Sequence, residues 1–266
     1  MYYSRSLYSL IAFLVVISMF PFCARAGDGA NFVLYTHHTP EAGERELMLM
    51  NDIAQNPDGK RYAAQMVELE LGITDRLATA FMVEGQKTGA NAYRFTGFRW
   101  ENRYRLFDYG TFLNPVIYLE YEDLSSDTRY VMEMSGREDA TPRVKARPRE
   151  RVFESRLILG GELVDGLDLS FNWLNESDLD TGVTAFGYAL GLNYRFDPRV
   201  MFGLELFGGT GDSDKGFTLD PSVTQHYLAP NIMLDVGNDI SVKFGGAIGL
   251  TNVSQDIVRL ALGYEF

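Results

Sequence analysis

The 266-residue chain contains a single cysteine, Cys23. It falls within the first 26 residues, so no disulfide can tie the rest together. Histidine is scarce as well: His37, His38 and His226 are the whole supply. That leaves little for nucleophilic catalysis, which needs an imidazole within reach of a nucleophile and an orienting group. There is no G-x-S-x-G motif. Gly208-Gly209-Thr210-Gly211 is followed neither by Lys-Ser/Thr nor by a helical pattern, so it is no phosphate loop. Positive charge is in deficit, with 24 Lys and Arg against 36 Asp and Glu and a formal net charge of −12. That balance argues against a nucleic-acid partner, which would need a basic patch. After residue 26 no apolar run approaches the roughly 20 residues of a spanning helix. A membrane reading therefore requires a closed barrel, the other structure that pairs every backbone polar group in lipid.

What the chain does have is glycine (26), phenylalanine (18) and tyrosine (15). These suit turns, strands and interfacial aromatic girdles. The first 26 residues read as a secretory signal peptide: Arg5, an apolar run from Leu10 to Phe20, and an Ala24-Arg25-Ala26 site with cleavage expected before Gly27. Phe22 before Cys23 does not suit lipoprotein processing, which wants a small residue there. The expected mature chain, residues 27–266, forms one domain and carries a net charge of −14 once Arg5 and Arg25 are gone.

Twelve segments read as strands: 44–51, 62–73, 77–86, 91–106, 111–122, 151–163, 167–176, 183–196, 199–209, 223–235, 239–250 and 256–266. Alternation is clear in several, because successive strand side chains take opposite faces. In 183–196, Phe186, Tyr188, Leu190, Leu192, Tyr194 and Phe196 oppose Gly187, Ala189, Gly191, Asn193 and Arg195. In the last strand Val258, Leu260, Leu262, Tyr264 and Phe266 oppose Arg259, Ala261, Gly263 and Glu265. A soluble barrel would show the same alternation with its apolar face inward. The expected signal peptide and the aromatic last strand choose the membrane sense. Every second connection is short, as at Thr74-Asp75-Arg76, Val164-Asp165-Gly166 and Asp197-Pro198-Arg199, while 51–61, 123–150, 174–183 and 208–222 are longer and more polar. Short periplasmic turns and long outside loops are the outer-membrane pattern. The expected fold is thus all-β, a transmembrane antiparallel up-and-down barrel of about twelve strands with both termini periplasmic. The first strand is the weakest; Thr39-Pro40-Glu41 before Glu44-Arg45-Glu46-Leu47 also satisfies helix-start rules. Residues 27–38 suit a periplasmic tail, an extra strand or an inward plug.

Several segments resemble a known family. Thr39-Pro40-Glu41-Ala42-Gly43-Glu44 precedes Glu70-Leu71-Gly72-Ile73-Thr74-Asp75-Arg76-Leu77, and Val116-Ile117-Tyr118-Leu119-Glu120-Tyr121-Glu122 and Glu154-Ser155-Arg156-Leu157 follow. Together they are similar to proteobacterial outer-membrane barrels called transporters, akin to those associated with phenol (aromatic) degradation. The resemblance implies passage of small molecules.

Charged residues on the face opposite the apolar one are the candidate lumen and selectivity set: Glu68, Glu70, Glu120, Glu122, Glu154, Arg156, Arg195, Glu205, Lys243 and Arg259, with Glu84, Arg99, Glu162 and Asp168 in the same registers. Such a set either pairs into a network that fills the barrel or sets a field across a wet pore; its acidic excess would favour cations. Arg143, Lys145, Arg147, Arg149 and Arg151 share one face of an extended chain. They suit lipopolysaccharide phosphates, an inward constriction or a solvated loop. Tyr264 and Phe266 carry the resemblance to an assembly signal read by barrel-assembly machinery. Asp178-x-Asp180-x-Gly182 and Asp212-x-Asp214-x-Gly216 begin like calcium loops but lack the remaining ligands, and Asp and Gly are turn residues. His37-His38 reads as a polar pair rather than a metal pair, and His226 as an interfacial residue on the lipid face. The expected protein is therefore no enzyme, with no cofactor and no metal. It is a passive channel for a small molecule, in contact with outer-membrane lipid and lipopolysaccharide. The rival readings are a closed structural or surface-interaction barrel and a membrane-embedded lipid hydrolase.

Overall fold

The computed structural model describes residues 29–88, 93–125, 134–137 and 149–266. The expected signal peptide, and Arg143, Lys145 and Arg147 of the basic stretch, lie outside them. The strands are β1 (Arg45–Gln55), β2 (Arg61–Thr74), β3 (Leu77–Thr88), β4 (Arg94–Arg105), β5 (Asn114–Ser125), β6 (Arg149–Val164), β7 (Leu167–Asp178), β8 (Thr184–Asp197), β9 (Val200–Asp212), β10 (Gly216–Phe217), β11 (His226–Gly237), β12 (Ile240–Gly249) and β13 (Asp256–Glu265). β10 is a two-residue flap on the end of β9. The other twelve each pair antiparallel with their chain neighbours, and β13 pairs with β1 to close the cylinder. All twelve expected strands are present. Closure leaves no edge with unpaired backbone groups.

Alternation sorts the wall into two faces. Outward, Leu190, Leu192, Leu204, Leu206, Val258, Leu260 and Leu262 form an exposed apolar band. Aromatic residues border it: Tyr194, Phe196, Phe202, Tyr264 and Phe266 near one end, Phe95, Phe98 and Phe153 towards the other. Tyr264 and Phe266 both face outward and stack at 5.8 Å. Two-residue turns at 75–76, 165–166, 198–199 and 238–239 join strands at the first end. At the last of these, Asn238 and Asp239 both adopt positive φ (57° and 61°). That is the type I′ hairpin geometry, for which Asn and Asp are among the few tolerant residues. The opposite end carries the longer connections, 126–148 and 213–225 among them.

Two details depart from expectation. β1 runs four residues further than 51, because the pattern continues: Asp52 faces in to Arg259, Ile53 faces out and Ala54 packs inside. The helix alternative for its start is not adopted, since residues 45–55 fill the ladder between β13 and β2. The 106–113 turn is longer than expected because β5 starts at Asn114; the Asn114 amide ties it by donating to the carbonyls of Phe107 and Asp108.

Of the three fates open to residues 27–38, the described part takes the plug. Residues 29–38 lie inside the barrel, with Ala30, Phe32, Val33, Leu34, Thr36 and His37 all buried. We call this segment the strap.

The face assignment has a direct test on adjacent residues of β2. Met66 faces the lumen opposite Glu84, whereas Val67 is 39 % exposed on the outer band. Lysine towards lipid costs about 2–4 kcal/mol at the bilayer midplane. Val67→Lys is expected to lower folded yield in bilayers by that amount, and Met66→Lys to fold nearly as the wild type. Equal yields would show that the two faces are not distinguished by lipid.

Candidate functional site: the occupied lumen

The strap is not a strand, so its backbone cannot join the wall ladder, and wall side chains serve it instead. Glu205 on β9 is the main cradle: its carboxylate accepts the backbone N–H groups of Phe32, Val33 (3.0 Å) and Leu34 (2.9 Å). Asn231 on β11 donates to the same carboxylate at 2.8 Å. Asn193 on β8 accepts from Ala30 N and donates to Asn31 Oδ1. Asn172 on β7 makes a reciprocal pair with the Tyr35 backbone, 2.9 Å to its N–H and 2.8 Å to its carbonyl. The strap carbonyls of Phe32 and Val33 accept from Arg259 (2.6 Å) and Arg156 (3.1 Å).

Apolar contact adds to this. Phe32, Val33 and Leu34 pack against Ala54, Ala189, Phe207, Tyr227, Ala229, Ala247 and Ile257. Phe32 stacks on Phe207 at 6.4 Å, and Phe207 on Tyr227 at 5.0 Å. Two wall glycines make room. A Cβ on Gly203 would collide with the carbonyl of Ala30, and one on Gly191 would sit 2.6 Å from Leu34 Cδ2.

On the other side of the strap lies a dense ionic network. Arg103 bridges Glu70 and Glu101, and Arg156 pairs with Glu154. Arg99 reaches Glu84, Glu120 and Glu122 at 3.2–3.4 Å. Tyr35 and Tyr118 sit among these groups: Tyr35 donates to Glu101, Tyr118 donates to Glu120, and the Arg156 guanidinium lies 5.0 and 4.8 Å from their ring centres. Across the lumen Arg259 grips both oxygens of Asp52 at 2.7 Å.

Every member of the candidate lumen set lies on the inner face. Glu70, Glu120, Glu122, Glu154, Arg156 and Glu205 are buried in networks, Arg259 is part-buried, and Glu68 and Lys243 border open space. Arg195 lies on the inner face near the short-turn end. Sequence reasoning did not single out Glu101, Arg103, Arg105 and Asp52. The first three share the register of Arg99 on β4 and could have been found from it; Asp52 lay beyond the expected end of β1.

Open space remains on the β1–β3 side, a cavity of about 230 Å³. Met48, Met50, Met66 and Met82 line it from the wall and Met134 from the long loop. Its charged lining includes Glu68, Glu84, Arg99, Lys243 and Arg259. Lys243 has no ion-pair partner among the described residues. A second cavity, about 270 Å³, lies at the long-loop end. There residues 134–137 turn inward: Ser135 and Gly136 bridge to Gly187 and Gly211, Ser135 Oγ donates to Glu176, and Arg137 lies 3.5 Å from Asp212.

The remaining candidates sit apart. Arg149 and Arg151 lie on the outer side of β6 and pair with Asp123 and Asp180. The two aspartate repeats form turns, in which Asp178 accepts from Asp180 N and Thr181 N, and Asp212 from Asp214 N and Lys215 N. His226 is outward-facing and meets the Tyr188 hydroxyl (3.2 Å) and Thr224 Oγ1 (3.0 Å), while the Ser222 hydroxyl donates to Asp220. At the short-turn end the strap leaves the lumen through His37 and His38, and His38 Nε2 lies 3.7 Å from Asp168. Burial, with the neighbouring His38 ring, lowers the His37 pKa to about 4, so that its imidazole is neutral at physiological pH.

Neither a family model nor a curated protein sequence matches the chain. Solved structures do. The KdgM porin is similar with a TM-score of 0.58 and 9 % identity, over 83 % of this chain and 99 % of that one. An outer membrane channel, COG4313, from Pseudomonas putida F1 gives 0.54 and 12 %, over 86 % and 98 %. The NanC porin gives 0.54 and 8 %, over 82 % and 98 %. At such identities the likeness shows the fold alone, a closed antiparallel barrel.

Removing the Glu205 carboxylate isolates the cradle. Glu205→Ala strands three buried N–H groups, each costing about 1–3 kcal/mol. Amide exchange at Phe32, Val33 and Leu34 is expected to accelerate at least about a hundredfold, matching ~3 kcal/mol, with the wall strands unchanged. Unaltered protection at those three amides would show that other contacts hold the strap.

Proposed function

We propose that the protein is a passive channel of the bacterial outer membrane, in which a small solute passes between the strap and the β1–β3 wall. The cavity of about 230 Å³ beside the strap carries this reading. A barrel that serves only as a scaffold gains nothing from leaving that space beside so tightly bonded a segment. The lining suits an amphipathic solute: thioethers offer an adaptable apolar surface, and Glu68, Glu84 and Lys243 offer polar contacts. The sequence resemblance to barrels associated with aromatic degradation points the same way. The outward apolar band and its aromatic borders support a barrel set in lipid. On this reading the short turns and both chain ends would face the periplasm, and the long loops outside. Arg149 and Arg151, with the rest of the basic stretch, would meet lipopolysaccharide phosphates there, and Tyr264 and Phe266 would serve assembly. The charged lumen set would tune selectivity.

The strap's dense bonding favours the rival, a closed barrel, and conductance separates the two. The mature protein in planar bilayers, with insertion confirmed separately, is expected to show small discrete steps. Deleting residues 29–38 should enlarge them several-fold, and Lys243→Glu should shift ion preference towards cations. Confirmed insertion with no steps in either form would sink the channel reading.

A further inference from the structure

Where the strap leaves the lumen it presents two adjacent imidazoles to one carboxylate of the wall. One nitrogen from each of His37 and His38 and an oxygen of Asp168 lie within 4.8 Å of one another. The two rings are 4.1 Å apart. His37 is 5 % exposed, yet its Nδ1 has no hydrogen-bond partner, and neither has the buried Nδ1 of His38. Buried polar atoms without partners are uncommon in folded proteins. A further orphan lies beside them: Ser170 Oγ is buried and unpartnered. It and His37 Nδ1 both border the hollow where Gly160 lacks a side chain, 2.9 and 2.8 Å from the position a Cβ would take.

We infer that His37, His38 and Asp168 form a binding site for a borderline divalent transition-metal ion, with Zn²⁺ the type case. Two neutral nitrogens and one carboxylate oxygen are the donor set such ions choose, whereas calcium and magnesium take oxygen alone. Three protein donors leave a fourth position for water. A tetrahedral ion with bonds of about 2.0–2.1 Å needs its donors roughly 3.3 Å apart, a distance that modest side-chain rotation reaches from the observed one. Access is open, because His38 and Asp168 keep 22 % and 20 % of their side-chain surface exposed. The strap supplies two ligands and β7 the third, so a bound ion staples the strap to the wall at its exit. The sequence offered the His37-His38 pair but no third ligand for it, since 130 residues separate His38 from Asp168. The inference stands whether or not the barrel conducts.

The test is a Zn²⁺ titration of untagged, metal-stripped mature protein in detergent, against a chromophoric competitor. One equivalent is expected to bind with a micromolar or tighter Kd, undisturbed by excess Ca²⁺. Losing even an outer-shell partner lowers metal affinity about 10–100-fold, so His38→Ala and Asp168→Asn should each weaken binding by at least that much. His226→Ala should leave it unchanged and rules out stray imidazole binding. Heat-modifiable gel migration reports whether each variant is folded. Wild-type protein that binds no stoichiometric Zn²⁺ overturns the site, and so does a folded His38→Ala/Asp168→Asn double variant that binds as tightly as the wild type.

Discussion

A closed ladder leaves its wall no backbone groups to share. Each barrel strand bonds to a neighbour on both sides, so a segment crossing the interior must satisfy its own N–H and C=O groups elsewhere. Buried, each unsatisfied group would cost about 1–3 kcal/mol. The inner face supplies the substitutes as side chains. Glu205, Asn172 and Asn193 take up strap N–H groups, and Arg156 and Arg259 reach strap carbonyls. Much of what makes this lumen polar is therefore addressed to ten residues of its own chain before it is addressed to any solute.

The same demand explains how the charges are arranged. A buried ion is costly unless paired, and removing one partner of a buried pair typically costs about 3–5 kcal/mol. Arg99, Arg103, Arg156 and Arg259 each face at least one carboxylate. These groups neutralise one another locally, and their side chains still orient Tyr35, Tyr118 and Phe32 through ring faces. The β8–β13 side holds the strap both by apolar contact and through Glu205, Asn193 and Arg259, and the β4–β7 side mainly by polar contact. The methionine-lined part of the β1–β3 side is the least committed to the strap. Space for a solute thus exists where the wall makes the fewest demands on the strap.

The wall was legible because a period of two is a strong signal: Leu190 against Ala189, or Leu260 against Arg259, assigns a face with no structure in hand. That signal also put Glu68, Glu120, Arg156 and Glu205 inside. It says nothing about what occupies the interior. His37, His38 and the apolar Phe32-Val33-Leu34 have no periodic context, and the partners Glu205 and Asp168 lie more than a hundred residues away. Pairing across a lumen leaves no trace in local spacing. The inward methionines were equally available from register, but a lone Met in a strand reads as generic apolar filling until four of them meet on one wall.

The strap's path is nonetheless written in the wall, as missing side chains. Gly203 and Gly191 lie under Ala30 and Leu34, Gly160 under His37, and Gly72 under the carbonyl of Glu41. In order along the strap and the chain just beyond it they step from β9 and β8 to β6, and then to β2 beside the start of β1. Glycine inside a strand weakens it, since there is no side chain to pack and more chain entropy to lose. A wall evolved only to close a cylinder would place alanine or larger at inward positions. Glycines at these four points are explained by what lies against them. The strap is then a built component with a groove reserved for it, and closure of the barrel and placement of the strap are two parts of one packing solution.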